Sequence, residues 1–201
     1  GEREVQNRFI GDWLVYGSAP FRWRDPTAGG SHPMLYALRY ASRQPLQQIA
    51  LGHGTERIEA MGRNAVIVGG SGKDLHFTSL KLGQRTAGKG GVFVQRDAAQ
   101  GESRTHGFFY RAEDERQGIV GLPIVGAARS NGMQRYLDQT ASVLYLRNRD
   151  LQLGRMGRLD ARAERAVDDG CKASCGDCDG DARPIFIGDR VFALLGYELV
   201  E

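Results

Sequence analysis

One stretch near the end of the chain limits the available folds most: Arg183-Pro184-Ile185-Phe186-Ile187-Gly188-Asp189-Arg190-Val191-Phe192-Ala193-Leu194-Leu195-Gly196. It reads as two apolar strands around a Gly-Asp turn, because glycine takes the positive φ that a two-residue hairpin loop demands. Weaker copies surround Gly11, from Arg8 to Gly17, and Gly62, from Arg57 to Gly69. A fainter one surrounds Gly107 in Thr105-His106-Gly107-Phe108-Phe109-Tyr110. One β unit recurring at roughly 40 to 50 residues, with one longer interval, predicts an all-β fold, a β-propeller of four-stranded antiparallel blades. With Gly11, Gly62, Gly107 and Gly188 as equivalent points, the chain holds about three blades and the inner strands of a fourth, where closed rings typically have four to eight. The expectation is therefore an incomplete segment, the carboxy-terminal portion of a longer protein, with residues 1–201 in a single domain.

Strand character fills most of the intervals. Met34 to Tyr40, Leu46 to Leu51, Ala65 to Val68, Leu75 to Leu82, Gly91 to Gln95 and Gly118 to Val125 all read as strands, as do Ala141 to Arg147 and Leu151 to Met156. In Leu75 to Leu82, period-two alternation puts His76, Thr78, Leu80 and Leu82 on one face and Leu75, Phe77, Ser79 and Lys81 on the other. Apolar residues on both faces predict a strand covered from both sides. Leu159 to Val167 has the composition for a helical turn or two. Gly69-Gly70-Ser71-Gly72-Lys73-Asp74 imitates a phosphate-binding loop, but the first glycine of that motif would fall at Ile67 and Asp74 stands where a magnesium-binding Ser or Thr is needed. Between two strands it reads as a hairpin turn.

Charge argues against a nucleic-acid partner. The 27 basic and 24 acidic residues are scattered along the 201-residue chain and give a formal charge of +3. No basic run or interleaved aromatic platform follows the pattern of a phosphate backbone. No apolar run approaches the ~20 residues of a membrane-spanning helix.

The sharpest chemical pattern is Cys171-Lys172-Ala173-Ser174-Cys175-Gly176-Asp177-Cys178, which holds all three cysteines within the Cys/Asp-rich loop 168–182. Its C-x3-C-x2-C spacing is the one by which radical S-adenosylmethionine enzymes hold a four-iron cluster. Those enzymes follow the motif with most of a β/α barrel, whereas only Asp179 to Glu201 follows here. Zinc would need a fourth ligand, and no His or further Cys is near in sequence. A disulfide between Cys171 and Cys175 is the expected arrangement, leaving Cys178 between Asp177 and Asp179, whose charges oppose thiolate formation. Local cysteines of this kind point to an oxidising compartment. Asp168, Asp169, Asp177, Asp179 and Asp181 supply oxygen for a calcium site of non-EF-hand type. As an EF-hand starting at Asp177 the loop fails, with Ala182 at the sixth position and Gly188 at the twelfth. His32, His53, His76 and His106 are far apart in sequence, and no G-x-S-x-G elbow accompanies them. His106, opening an aromatic strand, is the candidate channel-lining residue.

Three segments together carry a resemblance: Val5 to Gly17, Arg104 to Tyr110 with Gly121-Leu122-Pro123-Ile124 behind it, and Arg183 to Leu199. They look like the closing blades of a secreted bacterial and archaeal β-propeller family, distantly similar to WD-repeat propellers. The resemblance implies a propeller fold and an extracytoplasmic location, and it carries over no catalytic residues. The expected function is a non-catalytic binding or protein-interaction scaffold with an extracellular ligand and no cofactor other than calcium. The alternative is a metal-dependent propeller enzyme or a redox protein that uses the Cys171–Asp181 loop.

Overall fold

A computed structural model of the chain describes residues 5–18, 33–42, 44–126, 142–160, 182–195 and 198–201. They form four antiparallel sheets that follow one another along the sequence. The first sheet is β1 (Val5–Ile10), β2 (Trp13–Ser18), β3 (Met34–Arg39) and β4 (Gln47–Ala50), paired in that order. The second repeats the plan with β5 (Arg57–Met61), β6 (Asn64–Ser71), β7 (Asp74–Leu82) and β8 (Ala87–Gln95). In the third, β9 (Ala98–Gln100) precedes a 3-10 turn at Thr105–Gly107, and β10 (Phe109–Ala112), β11 (Gln117–Gly126), β12 (Ser142–Arg149) and β13 (Gln152–Asp160) follow. Strand β9 pairs with β11 beyond the end of β10. The fourth is β14 (Arg183–Ile187), β15 (Arg190–Leu195) and β16 (Glu198–Val200). Strand β13 runs on to Asp160, so the start of the segment read as a helical turn is extended chain. Among the described residues no helix is long and apolar enough to cross a membrane.

Glycine sets the hairpins. Gly11, Gly62, Gly72 and Gly188 each occupy the first of two loop positions, with φ of +54°, +62°, +61° and +55°. The flanking pairs Ile10 with Trp13, Met61 with Asn64, Ser71 with Asp74 and Ile187 with Arg190 close the ladders directly around them. A positive φ at that position is what type II′ hairpins reserve for glycine, and their twist matches that of the strands. Gly107 departs from the expected equivalence. It lies in the 3-10 turn before β10, and the first hairpin of the third sheet turns at Glu113 to Arg116 without any glycine. There Asp114 makes the turn, its carboxylate accepting from the backbone N–H groups of Arg116 and Gln117, each at 2.7 Å.

Register separates the arginines that begin the repeats. Arg57 pairs with Val68 and Arg183 with Leu194, each five residues ahead of its turn glycine, but Arg8 pairs with Val15, three ahead. Arg57 and Arg183 are equivalent; Arg8 is two residues nearer the turn, a shift that brings it against the second sheet.

The chain divides into two compact units, residues 1–96 with 149–153, and residues 97–148 with 154–201. The core of the first unit joins two sheet faces: Trp13, Val15, Leu35, Ala37 and Ile49 against Ala65, Ile67, Leu80 and Leu82. Each buried Val, Leu or Ile among them contributes about 1.5–3 kcal/mol on burial. Polar ties frame it, with the Trp13 indole N–H donating to the Gly83 carbonyl at 3.1 Å and the Gln47 amide bridging Arg85 O and the Ala87 N–H. In the second unit Ile119, Val143 and Tyr145 of the third sheet pack on Phe186, Val191, Ala193 and Leu195 of the fourth. The Tyr145 ring meets Phe186 edge-on at 5.8 Å, its hydroxyl donates to the Phe192 carbonyl, and burial raises its pKa. Phe186 thus joins the core, whereas Leu194 is half-buried on the opposite face of its sheet.

Burial differs from sheet to sheet. Ala65-Val66-Ile67-Val68 of β6 and Val143-Leu144-Tyr145-Leu146 of β12 are buried without interruption, so the second and third sheets are covered on both faces. In β2 buried Trp13, Val15 and Gly17 alternate with half-buried Leu14, Tyr16 and Ser18. The first sheet is covered on one face.

Candidate functional site

The four histidines are scattered in sequence, but the fold stacks two of them. The segment between β4 and β5 is sewn across the end of the first unit: Gly54 N–H donates to Gly70 O at 3.1 Å, Glu56 N–H to Val68 O at 2.9 Å and Thr55 N–H to Ser18 O at 3.3 Å. A Cβ on Gly69 would lie 1.9 Å from the Gly54 carbonyl oxygen, so only glycine admits this approach. The crossing carries His53 onto the face of β7 that holds His76 and Thr78, and the His53 and His76 rings stack at 5.3 Å and 24°. His53 Nδ1 is 2.8 Å from the Gly54 carbonyl, which only accepts, so the neutral ring carries its proton there. Nε2 then accepts from the Thr78 hydroxyl at 2.7 Å. Burial lowers the His53 pKa to about 4, with His76 and Lys89 acting in the same sense against the Gly54 carbonyl.

A hydroxyl held on a neutral imidazole is the composition of a nucleophile and its base. Here His53 is 2 % and Thr78 1 % exposed, so the pair is closed to a substrate and acts as a clasp between β7 and the crossing segment. Thr55 Oγ1 and Ser79 Oγ are buried without a hydrogen-bond partner among the described residues.

A second polar node ties β1 to β5. Buried Glu59 receives the Arg8 guanidinium on one oxygen and Arg57 on the other, the latter at 2.9 Å, while Arg8 Nε also donates to Ile58 O at 2.8 Å. Removing Arg57 or Glu59, the two buried members, leaves charge uncompensated, at a cost of about 3–5 kcal/mol. The third node contains His106. Its Nε2 lies 3.3 Å from a Glu102 oxygen, and Glu102, nearly fully buried, also accepts from the Arg104 backbone N–H at 2.7 Å and from its Nε at 3.1 Å. Burial works to raise the Glu102 pKa, and the bonds from Arg104 outweigh it, so the carboxyl is held below its ordinary range. His106 is half-exposed in the 3-10 turn, beside that carboxylate, rather than at the opening of β10.

The outer face of the first sheet has a different character. Phe9, 64 % exposed, meets Tyr40, 54 % exposed, edge-on at 5.6 Å. The Tyr40 hydroxyl donates to the Gly11 carbonyl at 2.9 Å, which fixes that ring over the hairpin turn. Alongside, the cross-strand pair Tyr16 and Tyr36 stacks at 5.0 Å and 14°. The register lines up Phe9, Leu14 and Leu38 in one rung and Asn7, Tyr16, Tyr36 and Gln48 in the next. Aromatic rings held by neighbours lose little freedom on contact, which suits them to binding. The outer face of the fourth sheet mixes apolar and charged groups: Ile185, Phe192, Leu194 and Leu199 share it with Arg183 and with Arg190, whose guanidinium lies 4.9 Å over the Phe192 ring and pairs with Glu201.

Cys171, Cys175, Asp168, Asp169, Asp177, Asp179 and Asp181 lie outside the described residues. Among the described residues no group of three or more His, Cys, Asp or Glu side chains is gathered to hold a metal ion. The stacked pair His53 and His76 escaped sequence reasoning, although the spacing of His76 and Thr78 on one face and the small neighbours Gly52 and Gly54 of His53 were the available signals. No protein-family model, curated protein or solved structure matches this chain.

Proposed function

We propose that the chain is a non-catalytic scaffold of β-propeller type whose work is binding, through the aromatic outer face of its first sheet. The observation that carries this reading is the outer face of the first sheet, where four aromatic rings are locked in pairs and two of them stand well out into solvent. An exposed apolar patch built with such definition supports a recognition role. Four consecutive up-and-down sheets, three of them opening on the same glycine hairpin, support the blade reading of the fold. An extracytoplasmic location fits the cysteine loop.

Metal analysis of the purified full chain tests the non-catalytic reading. The expected result is substoichiometric iron and zinc and an unchanged far-UV spectrum after chelation; one equivalent of either metal, lost in Cys171→Ser, would favour a metal enzyme or redox protein. An experimental structure tests the blades. They stand if β1, β5, β10 and β14 surround a common axis, and fall if the sheets stack without one.

A further inference from the structure

We infer that the segment joining the first and second sheets, Gly52 to Glu56, is an acid-released latch: it is closed while His53 is neutral, and it leaves the end of β6, with both sheets still folded, when that ring takes a second proton. The inference goes beyond the binding reading and does not depend on it.

The latch is local by construction. Leu51 and Ile58 belong to the core shared by the two sheets and anchor the segment at either end. Between them the contacts are polar. The Gly54 and Glu56 N–H groups donate to the Gly70 and Val68 carbonyls, Thr55 N–H donates to Ser18 O, and the Glu56 carboxylate accepts from Gly70 N–H at 3.1 Å. His53 carries the segment into the interior, with its ring on the Thr78 hydroxyl and stacked on His76. The ladder between β5 and β6 begins only at Arg57, so loss of these contacts leaves it intact.

Geometry makes the His53 ring a poor place for charge. Both nitrogens are engaged with one proton between them, Nδ1 donating to Gly54 O and Nε2 accepting from Thr78. A second proton on Nε2 ends the Thr78 donation and puts a cation at a site 2 % exposed. The groups that act on the ring oppose that charge: His76 of β7 and Lys89 of β8. The surrounding carboxylates are otherwise engaged or offset. Glu56 is bonded to Gly70 N–H, Glu59 of β5 is held by Arg8 and Arg57, and Asp74 opens β7, two residues before His76. Strands β4 and β6 carry no ionisable side chain, and Tyr16 of β2 is stacked on Tyr36 on the outer face.

Buried in this company, the ring has its pKa lowered to about 4. In the released segment it regains water and its ordinary value of about 6.5. Between those values the open form binds the extra proton, so a fall in pH favours opening by up to about tenfold per unit, and above about pH 6.5 it has no effect. Opening uncovers a sheet edge, because Val68 O, Gly70 O and Gly70 N–H lose their partners on one side of β6.

Hydrogen exchange of the full chain tests the latch, read amide by amide by NMR between pH 7.5 and 4.5 and corrected for the intrinsic rate at each pH. The N–H groups of Gly54, Thr55 and Glu56 should show opening constants at least about tenfold above those of Val66 and Ile67 in β6. They should rise by up to about tenfold per unit below pH 6.5 and ignore low urea, which promotes only openings that expose much surface. Val66 and Ile67 should exchange through urea-sensitive global unfolding. In His53→Gln, whose amide can keep both hydrogen bonds but does not titrate, the rise should flatten. Segment opening constants equal to those of β6 at every pH, or independent of pH in wild type, would overturn the inference, as would a rise that persists in His53→Gln. The wild-type readings decide the matter even where the variant does not fold.

Discussion

The first and second sheets share one plan, four strands in order and a glycine at the same place in the first hairpin, but they are used in opposite ways. On its face away from the first sheet, the second presents Val66, Val68, Leu75 and Phe77, all 0 % exposed. The corresponding outer face of the first sheet presents Leu14, Tyr16, Tyr36 and Phe9, half-buried to well exposed. Aliphatic β-branched side chains fill a sheet covered on both sides, where shape alone matters. Tyrosine suits a face that meets water in one state and a partner in another, because its ring is apolar and its hydroxyl is not. The comparison separates residues that hold the fold from residues that remain available to it.

Replacing the same residue type in the two sheets should give the largest contrast. Phe77→Ala empties a fully buried site beside Phe93, and a urea melt should show a loss of about 3–5 kcal/mol. Next comes the His53 clasp. Its folded pKa of about 4 lies below the ordinary 6.5, so between those values the unfolded chain binds the extra proton. Stability from the neutral ring is therefore complete above about pH 6.5 and is lost as the pH falls towards 4, by about 3 kcal/mol in all. Urea melts at pH 7.5 and 4.5 measure that slope, and it should flatten in His53→Gln. Smaller still is Gly62→Ala or Gly11→Ala, where an added Cβ meets nothing within 4 Å and only the positive φ is penalised. A loss of about 1–2 kcal/mol is expected, equal in the two sheets. A clear inequality would mean that the two hairpins are not equivalent. Phe9→Ala, on the open face, should change the melt of the dilute protein by no more than about 0.5 kcal/mol.

The local rules of this fold are written in short motifs, and those were readable. Gly11, Gly62 and Gly188 announce their hairpins because few other residues take that backbone angle, and the alternation in β7 correctly placed His76 with Thr78. Gly107 misled because His-Gly-Phe resembles a repeat start, while the true turn uses the Asp114 carboxylate, a solution with no glycine to mark it. Arg8 looked equivalent to Arg57, yet strand register is set by pairing partners and not by residue type, and the two-residue offset is what lets Arg8 reach Glu59. Contacts made by the crossing segment were out of reach, since His53 meets His76 only once β6 and β7 present Gly69, Gly70 and Thr78 to it. Which faces stay open depends on the sheets around them, information that no single strand contains.

Hydroxyl-radical footprinting of the full chain in dilute solution, read by mass spectrometry, tests the difference between the sheets most directly. Phe9 and Tyr40 should oxidise readily, with Phe77 protected. Phe9 protected in dilute solution, or Phe77 oxidised as fast as Phe9, would contradict the account.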